Sequence, residues 1–199
     1  MIRQHGRVRA DPITKFKQWY AAAARARIPL HDAMALATAG RDGTPSVRFV
    51  LLKAVDERGF VFFTDGRSRK GRELAARPRA AFVFYWDTIA KQVRVEGRIE
   101  RVTAAEADAY WETRPRNSRL AAASSTQSAP MPSHEWLMAR WHRLRRELVG
   151  RSVPRPSDWQ GYRVVPDAIE FWKRGAHRLH RREHWRRTRG GWRRTLLQP

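Results

Sequence analysis

Apolar and polar positions repeat along this chain with two different periods, and the points where the period changes mark its elements. Residues 11–27 carry a helical stripe of Phe16, Trp19, Tyr20 and Ala23, with Asp11 placed to cap and Pro12 at the first helical position. From Met34 to Thr38 the pattern becomes that of a strand, and Arg41-Asp42-Gly43-Thr44-Pro45 reads as a hairpin turn. In Ser46–Lys53, Val47, Phe49 and Leu51 alternate with Arg48, Val50 and Leu52. Asp56-Glu57-Arg58-Gly59 then turns the chain into an aromatic strand, Phe60–Thr64. Ala81–Trp86 and Gln92–Val102 follow, the second with Val93, Val95, Gly97 and Ile99 against Gln92, Arg94, Glu96 and Arg98. Tyr162–Val165 and Ala168–Trp172 return to the strand pattern, with a hairpin through Gly190-Gly191 after them.

Helices interrupt this pattern. Ser68–Arg77 follows a strand, and Thr103 with Glu106 forms a capping box that opens a helix to about Thr113. Ser133 caps another, whose stripe of Leu137, Trp141, Leu144 and Leu148 ends at Gly150. Arg151–Ser157, with two prolines, is a loop. Short strands joined by tight turns, with little helix between them, predict a mainly β antiparallel barrel with peripheral helices. No linker divides the chain, so one domain over 1–199 is expected, with a helical arm at 1–30 and a β segment at 160–199.

Composition narrows the class. A hydrophobic content of 42% excludes a disordered chain, and no apolar run is long enough to span a membrane. The basic N-terminus lacks the apolar segment of a signal peptide. With no cysteine, a disulfide framework and a thiolate metal site are excluded, and the cytoplasm is the expected location. The formal charge of +22 comes from 35 arginines against six lysines. The guanidinium fork suits phosphate, and a basic chain also suits nucleic acid. The arginines are spread along the whole chain, concentrated only near 139–155 and 174–194, so most read as solvated faces. Trp19 and Trp141 sit in apolar patterns rather than among exposed cations, so nucleic-acid binding is expected to be non-specific at most.

Four groups of residues could carry chemistry. Arg48 and Lys53 flank an apolar β run, and five-residue spacing puts them on opposite faces unless a bulge intervenes. Thr64-Asp-Gly-Arg-Ser68-Arg69-Lys70 gathers hydroxyls, cations and free backbone N–H groups at a strand-to-helix junction. Cations at a helix start oppose its dipole unless an anion binds there. Tyr110, Arg114 and Ser118 converge near a helix end as a second phosphate cradle, although a plain favourable C-terminal cation explains Arg114 equally well. Alternation would place Arg178, His180 and Arg182 on one face. Zinc, nucleophile-elbow and dinucleotide fingerprints are missing, so spacing alone names no reaction.

In their order, RFVLLK (48–53), FFT (62–64), SRKGRE (68–73), KQVRVEG (91–97), YWETRPRNS (110–118), TQS (126–128), EFW (170–172) and HRLH (177–180) resemble the pyridoxine/pyridoxamine 5′-phosphate oxidases. The resemblance runs from about residue 12 to the C-terminus. It implies a homodimer built on an FMN-binding split β-barrel, with FMN at the subunit interface. The implied FMN contacts are Arg48, Lys53, Phe63 (through its backbone), Thr64, Arg69, Lys70, Gln92, Gln127, Ser128, Trp172 and Arg182. The implied contacts for pyridoxine or pyridoxamine 5′-phosphate are Lys53, Tyr110, Arg114 and Ser118. Arg178 and His180 would lie over the substrate ring as the catalytic pair, orienting it and stabilising charge. The implied reaction moves a hydride from the substrate's C4′ to flavin N5, gives pyridoxal 5′-phosphate, and reduces O2 to H2O2. No metal and no membrane are implied. Phe63 stands where the family often has Tyr, Arg181 where an acid is usual, and Leu196 where an arginine is usual. The alternatives are a phenazine-pathway flavin oxidase on the same barrel, a flavin-binding protein without turnover, and a basic nucleic-acid-binding protein.

Overall fold

A computed structural model describes residues 11–199; residues 1–10, and with them the beginning of the expected 1–30 arm, lie outside the described part. Helix α1 (Pro12–Arg25) starts where the carboxylate of Asp11 accepts from the backbone N–H of Ile13 and Thr14. Strands β1 (Ala33–Ala39) and β2 (Pro45–Leu51) form a hairpin at Gly43, whose φ of +87° favours glycine. After β3 (Ala54–Asp56), the turn at Gly59 leads into β4 (Gly59–Asp65), which pairs with it. Helix α2 (Arg69–Ala76), β5 (Arg79–Trp86) and β6 (Lys91–Arg101) follow. Helices α3 (Ala104–Thr113), α4 (Arg116–Ser124) and α5 (His134–Glu147) form one helical stretch before β7 (Trp159–Lys173), β8 (Arg181–Thr188) and β9 (Gly191–Leu197).

Among the described residues, all nine strands belong to one antiparallel sheet ordered β2-β1-β5-β6-β7-β4-β3, with β8 on β7 and β9 on β8. Strand β7 organises it. Residues 159–164 pair with β4, residues 168–173 pair with β8, and nearly its whole length pairs with β6. This change of partner lets the sheet curl into a half-barrel. A register shift between Glu96 and Gly97 marks the bend, where a Cβ on Gly97 would sit 2.1 Å from the Val165 carbonyl oxygen.

Helix α1 packs into the main buried cluster of the sheet. Its Phe16 meets Phe60 edge-on at 4.8 Å and Phe84 at 5.4 Å, and both rings belong to the same buried cluster as Phe62, Phe82 and Trp86. A second cluster, Trp111, Leu120, Leu148, Val153 and Trp159, seats α3, α4 and α5 against the start of β7. No described helix is long and apolar enough to cross a membrane.

The mainly β architecture agrees with the alternating pattern; three local expectations change, and the buried face of β2, which the pattern left open, is now defined. The chain forms one more helix than the pattern marked, α4, with no side-chain cap at its start. Tyr162–Val165 and Ala168–Trp172 are one continuous strand, because Pro166 falls at the bulge opposite Gly97, where β7 need not donate. In β2 the apolar residues face out: Val47 is 69% and Phe49 75% exposed. Residues 176–178 form a 3-10 turn with His177 and Arg178 at φ +53° and +64°, and β8 begins only at Arg181. Strand alternation therefore does not put Arg178, His180 and Arg182 on one face.

Phe16 joins helix to sheet, so Phe16→Ala should cost about 3–5 kcal/mol, read as a lowered urea midpoint with little change in slope.

Candidate functional site

The carboxyl end of β4, the start of α2 and the outer face of β2 surround a cleft of about 770 Å³. Three constraints bring them there. Asp65 accepts from the backbone N–H of Arg67 at 2.7 Å and turns the chain out of β4. Ser68 then caps α2 by accepting from Gly71 N–H. At Gly71 a Cβ would lie 2.3 Å from the Gly66 carbonyl oxygen, so only glycine allows this tight junction.

Cations line this end of the cleft around one acid. Glu73 accepts from Ser46 Oγ at 2.6 Å, Arg69 Nε at 2.9 Å and Arg48 Nη2 at 3.2 Å, and also from Thr38 Oγ1. Burial opposes its ionisation, but these donors outweigh burial and hold its pKa at about 2. Arg48 also donates to Thr38 Oγ1 at 2.5 Å and to the Leu36 carbonyl at 3.3 Å, so its head is fixed. The buried Lys70 has neutral partners: Thr64 Oγ1 and Gln127 Oε1 at 3.0 Å and Ser68 Oγ at 3.3 Å. Burial, assisted by Arg48, pushes its pKa down to about 8. An anion facing Lys70 would reverse that shift.

The other wall is aromatic. Phe63 stacks on Tyr110 at 4.2 Å and on Trp159 at 5.0 Å, and the Arg114 guanidinium lies 4.8 Å over Trp159. Arg114 Nη1 is buried and has no hydrogen-bond partner among the described residues. A buried guanidinium nitrogen without an acceptor costs about 1–3 kcal/mol or more, so its position favours an anionic ligand. Ser118, on α4, lines the same wall, and a recess of about 390 Å³ shares Thr64, Arg114, Ser118 and Gln127 with the cleft.

The cleft thus gathers Arg48, Lys53, Phe63, Thr64, Arg69, Lys70, Tyr110, Arg114, Ser118, Gln127 and Ser128. Arg48 and Lys53 share it, despite their spacing, because β2 ends at Leu51 before the alternation reaches Lys53. Lys53 donates to Asp32 at 2.9 Å. The remaining expected residues lie elsewhere. Gln92, Trp172 and Arg182 are in register across β6, β7 and β8, with Arg182 held to Glu170 at 2.8 Å. His180 packs 4.6 Å from Trp172, and its Nδ1 accepts from Gly175 N–H at 3.3 Å, leaving Nε2 as the donor. Arg178 is on the neighbouring turn, exposed. One chain therefore carries two separate groups.

The sequence reading missed Glu73, Thr38, Ser46, Asp32 and Trp159. Arg69 and Glu73 are four apart on α2, a spacing that could have signalled their pairing; the other four are set by tertiary contact.

Comparison with known proteins is consistent along the chain. Residues 20–146 match the family described as Pyridoxamine 5′-phosphate oxidase, and residues 159–199 match the Pyridoxine 5′-phosphate oxidase C-terminal dimerisation region. A pyridoxine/pyridoxamine 5′-phosphate oxidase of Thermosynechococcus vestitus is 51% identical over 95% of this chain and 89% of its own. One of Rubrobacter xylanophilus is 52% identical over 95% and 87%. Among solved structures, PhzG from Burkholderia lata, in complex with tetrahydrophenazine-1-carboxylic acid, superposes with a TM-score of 0.92 at 35% identity, covering 100% of this chain and 98% of that one. A pyridoxamine 5′-phosphate oxidase-related, FMN binding protein from Nostoc punctiforme shares the fold, with a TM-score of 0.78 at 16% identity over 96% and 99%.

Because Glu73 is ionised in the folded chain far below its ordinary 4.5, its contribution to stability is complete above pH 4.5 and fades as pH falls toward about 2. Glu73→Gln should lose roughly 2–3 kcal/mol at neutral pH and flatten the stability profile between those limits, measured by denaturant melts at stepped pH. An unchanged acid slope would show that another carboxylate governs it.

Proposed function

The chain belongs to the pyridoxamine 5′-phosphate oxidase family, and on that premise we propose that it oxidises pyridoxine 5′-phosphate or pyridoxamine 5′-phosphate to pyridoxal 5′-phosphate with FMN as cofactor. The observation that carries this reading is the pair of separate cationic groups in one cleft, each with a cation lacking a carboxylate partner: the buried Lys70 at the start of α2 and, on the aromatic wall, the half-buried Arg114 with its buried Nη1. Two phosphorylated molecules side by side need this arrangement, and a single small anion does not.

Arg48, Arg69, Lys70 and Thr64 would hold the FMN phosphate, with Phe63, Gln127 and Ser128 alongside. Tyr110, Arg114 and Ser118 would hold the substrate phosphate. Lys53, which lines the same cleft, would lie between the two groups. FMN, when bound, supplies the hydride acceptor and hands the electrons to O2, giving H2O2. The residues of this chain would position the reactants and exclude water.

Gln92, Trp172, Arg182, Arg178 and His180 complete the reading through a homodimer. They lie apart from the cleft of their own chain, and the exposed Val47 and Phe49 beside that cleft form an apolar strip suited to a second copy. In the dimer this group would close the partner's cleft, with His180 Nε2 and Arg178 facing the substrate ring. The match of residues 159–199 to a dimerisation region supports this. FMN would then lie between subunits. Oxidation of a phenazine precursor is the competing reading; it rests on a relative at 35% identity, against 51% for the B6 enzymes, and leaves the Tyr110–Arg114–Ser118 cradle without a purpose.

The purified protein should be yellow, and pyridoxine or pyridoxamine 5′-phosphate should bleach it under anaerobic conditions. Flavin that binds yet stays oxidised with both would sink the B6 assignment. Arg114→Ala should raise KM about 10- to 100-fold, equivalent to losing one charge-assisted contact, with kcat little changed. An unchanged KM would remove Arg114 from the phosphate cradle.

A further inference from the structure

On the face of β6–β8 opposite the Gln92–Trp172–Arg182 row, the structure brings three cations together. Lys91 is directly across from Lys173, and Lys173 directly across from Arg181. Like charges directly opposite on neighbouring strands repel, by roughly 0.2–1 kcal/mol per pair. None of the three forms an ion pair among the described residues, and residues 1–10 contain no carboxylate that could supply one. Helix α1 adds a fourth cation, Lys15, which sits 4.8 Å over the Phe171 ring. Lys91 lies 4.8 Å over the Trp19 ring.

These side chains line a recess of about 250 Å³ whose floor is Phe171 and whose wall is Trp19. Glu183 is the one acid in it, already taken by Lys15 at 2.6 Å and facing Arg194 at 3.7 Å. Burial, with Lys173, Arg25 and Lys15 nearby, lowers the pKa of Lys91, as expected for a cation left among cations. The two aromatic faces offset part of the repulsion, since a ring face attracts a cation. They do not neutralise it.

We propose that this recess between α1 and β6–β8 is a second anion site, taking a compact polyanion of the phosphate or diphosphate kind through Lys15, Lys91, Lys173 and Arg181. It is distinct from the cleft. Side chains one residue apart on a strand point to opposite faces, so an occupant here cannot touch Gln92, Trp172 or Arg182 on the other side of the same strands. The recess exceeds what one phosphate group fills and is closed on one side by α1, which favours a small free anion over a polymer backbone.

The test is calorimetric titration of inorganic pyrophosphate into the purified, flavin-loaded protein at fixed ionic strength, since surface attraction alone is screened by salt. Binding to a site outside the cleft should survive Arg114→Gln. It should weaken about tenfold or more, some 1.4 kcal/mol, in Lys91→Gln/Lys173→Gln/Arg181→Gln. That triple variant should also melt higher than the parent in anion-free buffer, because the cross-strand repulsion is gone, and should lose the parent's thermal shift with pyrophosphate. Arg181→Gln, a single exposed change, gives the same direction at smaller size should the triple variant fail to fold. Pyrophosphate binding unchanged in both variants, or abolished by Arg114→Gln, would overturn the proposal.

Discussion

Arg48, Arg69 and Lys70 are drawn to one end of a cleft in a chain whose formal charge is already +22, and folding tolerates this because Glu73 lies among them. A carboxylate buried beside hydroxyls and guanidinium groups stays ionised when enough donors face it, and Glu73 has donors from β1, β2 and its own helix. Its position ties α2 to the β1–β2 hairpin. It also fixes Arg48 against the sheet, so that this cation enters the site already ordered. Lys70, one turn earlier, donates only to hydroxyl and amide oxygens. The acid thus neutralises part of the cluster and leaves part of it to a ligand. An anionic cofactor would find a site whose side chains need little rearrangement, which reduces the ordering cost of binding.

The period of the strand separates the remaining functions. On β2, apolar residues face outward beside the cleft while Arg48 turns toward β1 and Glu73. On β6–β8, one face carries Gln92, Trp172 and Arg182, and the other carries Lys91, Lys173 and Arg181 against α1. A one-residue slip in either place would exchange the faces. The bulge at Gly97 and the turns at Gly43 and Gly59 hold the register, and at Gly59 and Gly97 a neighbouring carbonyl would lie 2.1 Å from any added Cβ.

How much of this the sequence disclosed depends on whether the controlling contact was local. Asp11, Thr103 and Ser133 cap helices through residues two or three positions away, and those boundaries are legible. The strands of the half-barrel follow from alternation. Helix α4 does not, because it begins at Pro115 with no side-chain cap and depends on Leu120 packing beside Trp111 and Trp159. The outward face of β2 was invisible too, since alternation shows that two faces differ and not which one is buried. That these groups and residues 127–128 share one cleft was reachable only as a family resemblance, because β4, α2, α3 and residues 127–128 meet through the fold rather than by spacing. The turn at 176–178 defeats an alternation argument for a further reason: two consecutive left-handed residues, neither glycine, are a costly conformation that no pattern of apolar positions encodes.

The excess of arginine looks different once partners are assigned. Arg163 is 6% exposed and bound to Asp56 and Glu106, Arg155 to Asp108, and Arg182 to Glu170. On α5, Arg140 covers Trp136 at 4.8 Å and Arg145 covers Trp141 at 5.4 Å. A nucleic-acid surface offers aromatic faces to bases and cations to phosphates, whereas here each of these rings is already capped by a cation of its own helix. The basic helix is therefore poorly built for stacking, and its attraction for a polyanion would be the screened, sequence-blind kind. By contrast, Lys70 and Arg114 in the cleft and the Lys91–Lys173–Arg181 row combine concavity with missing counter-charge. That combination, rather than the charge total, is what separates a binding site from a charged surface.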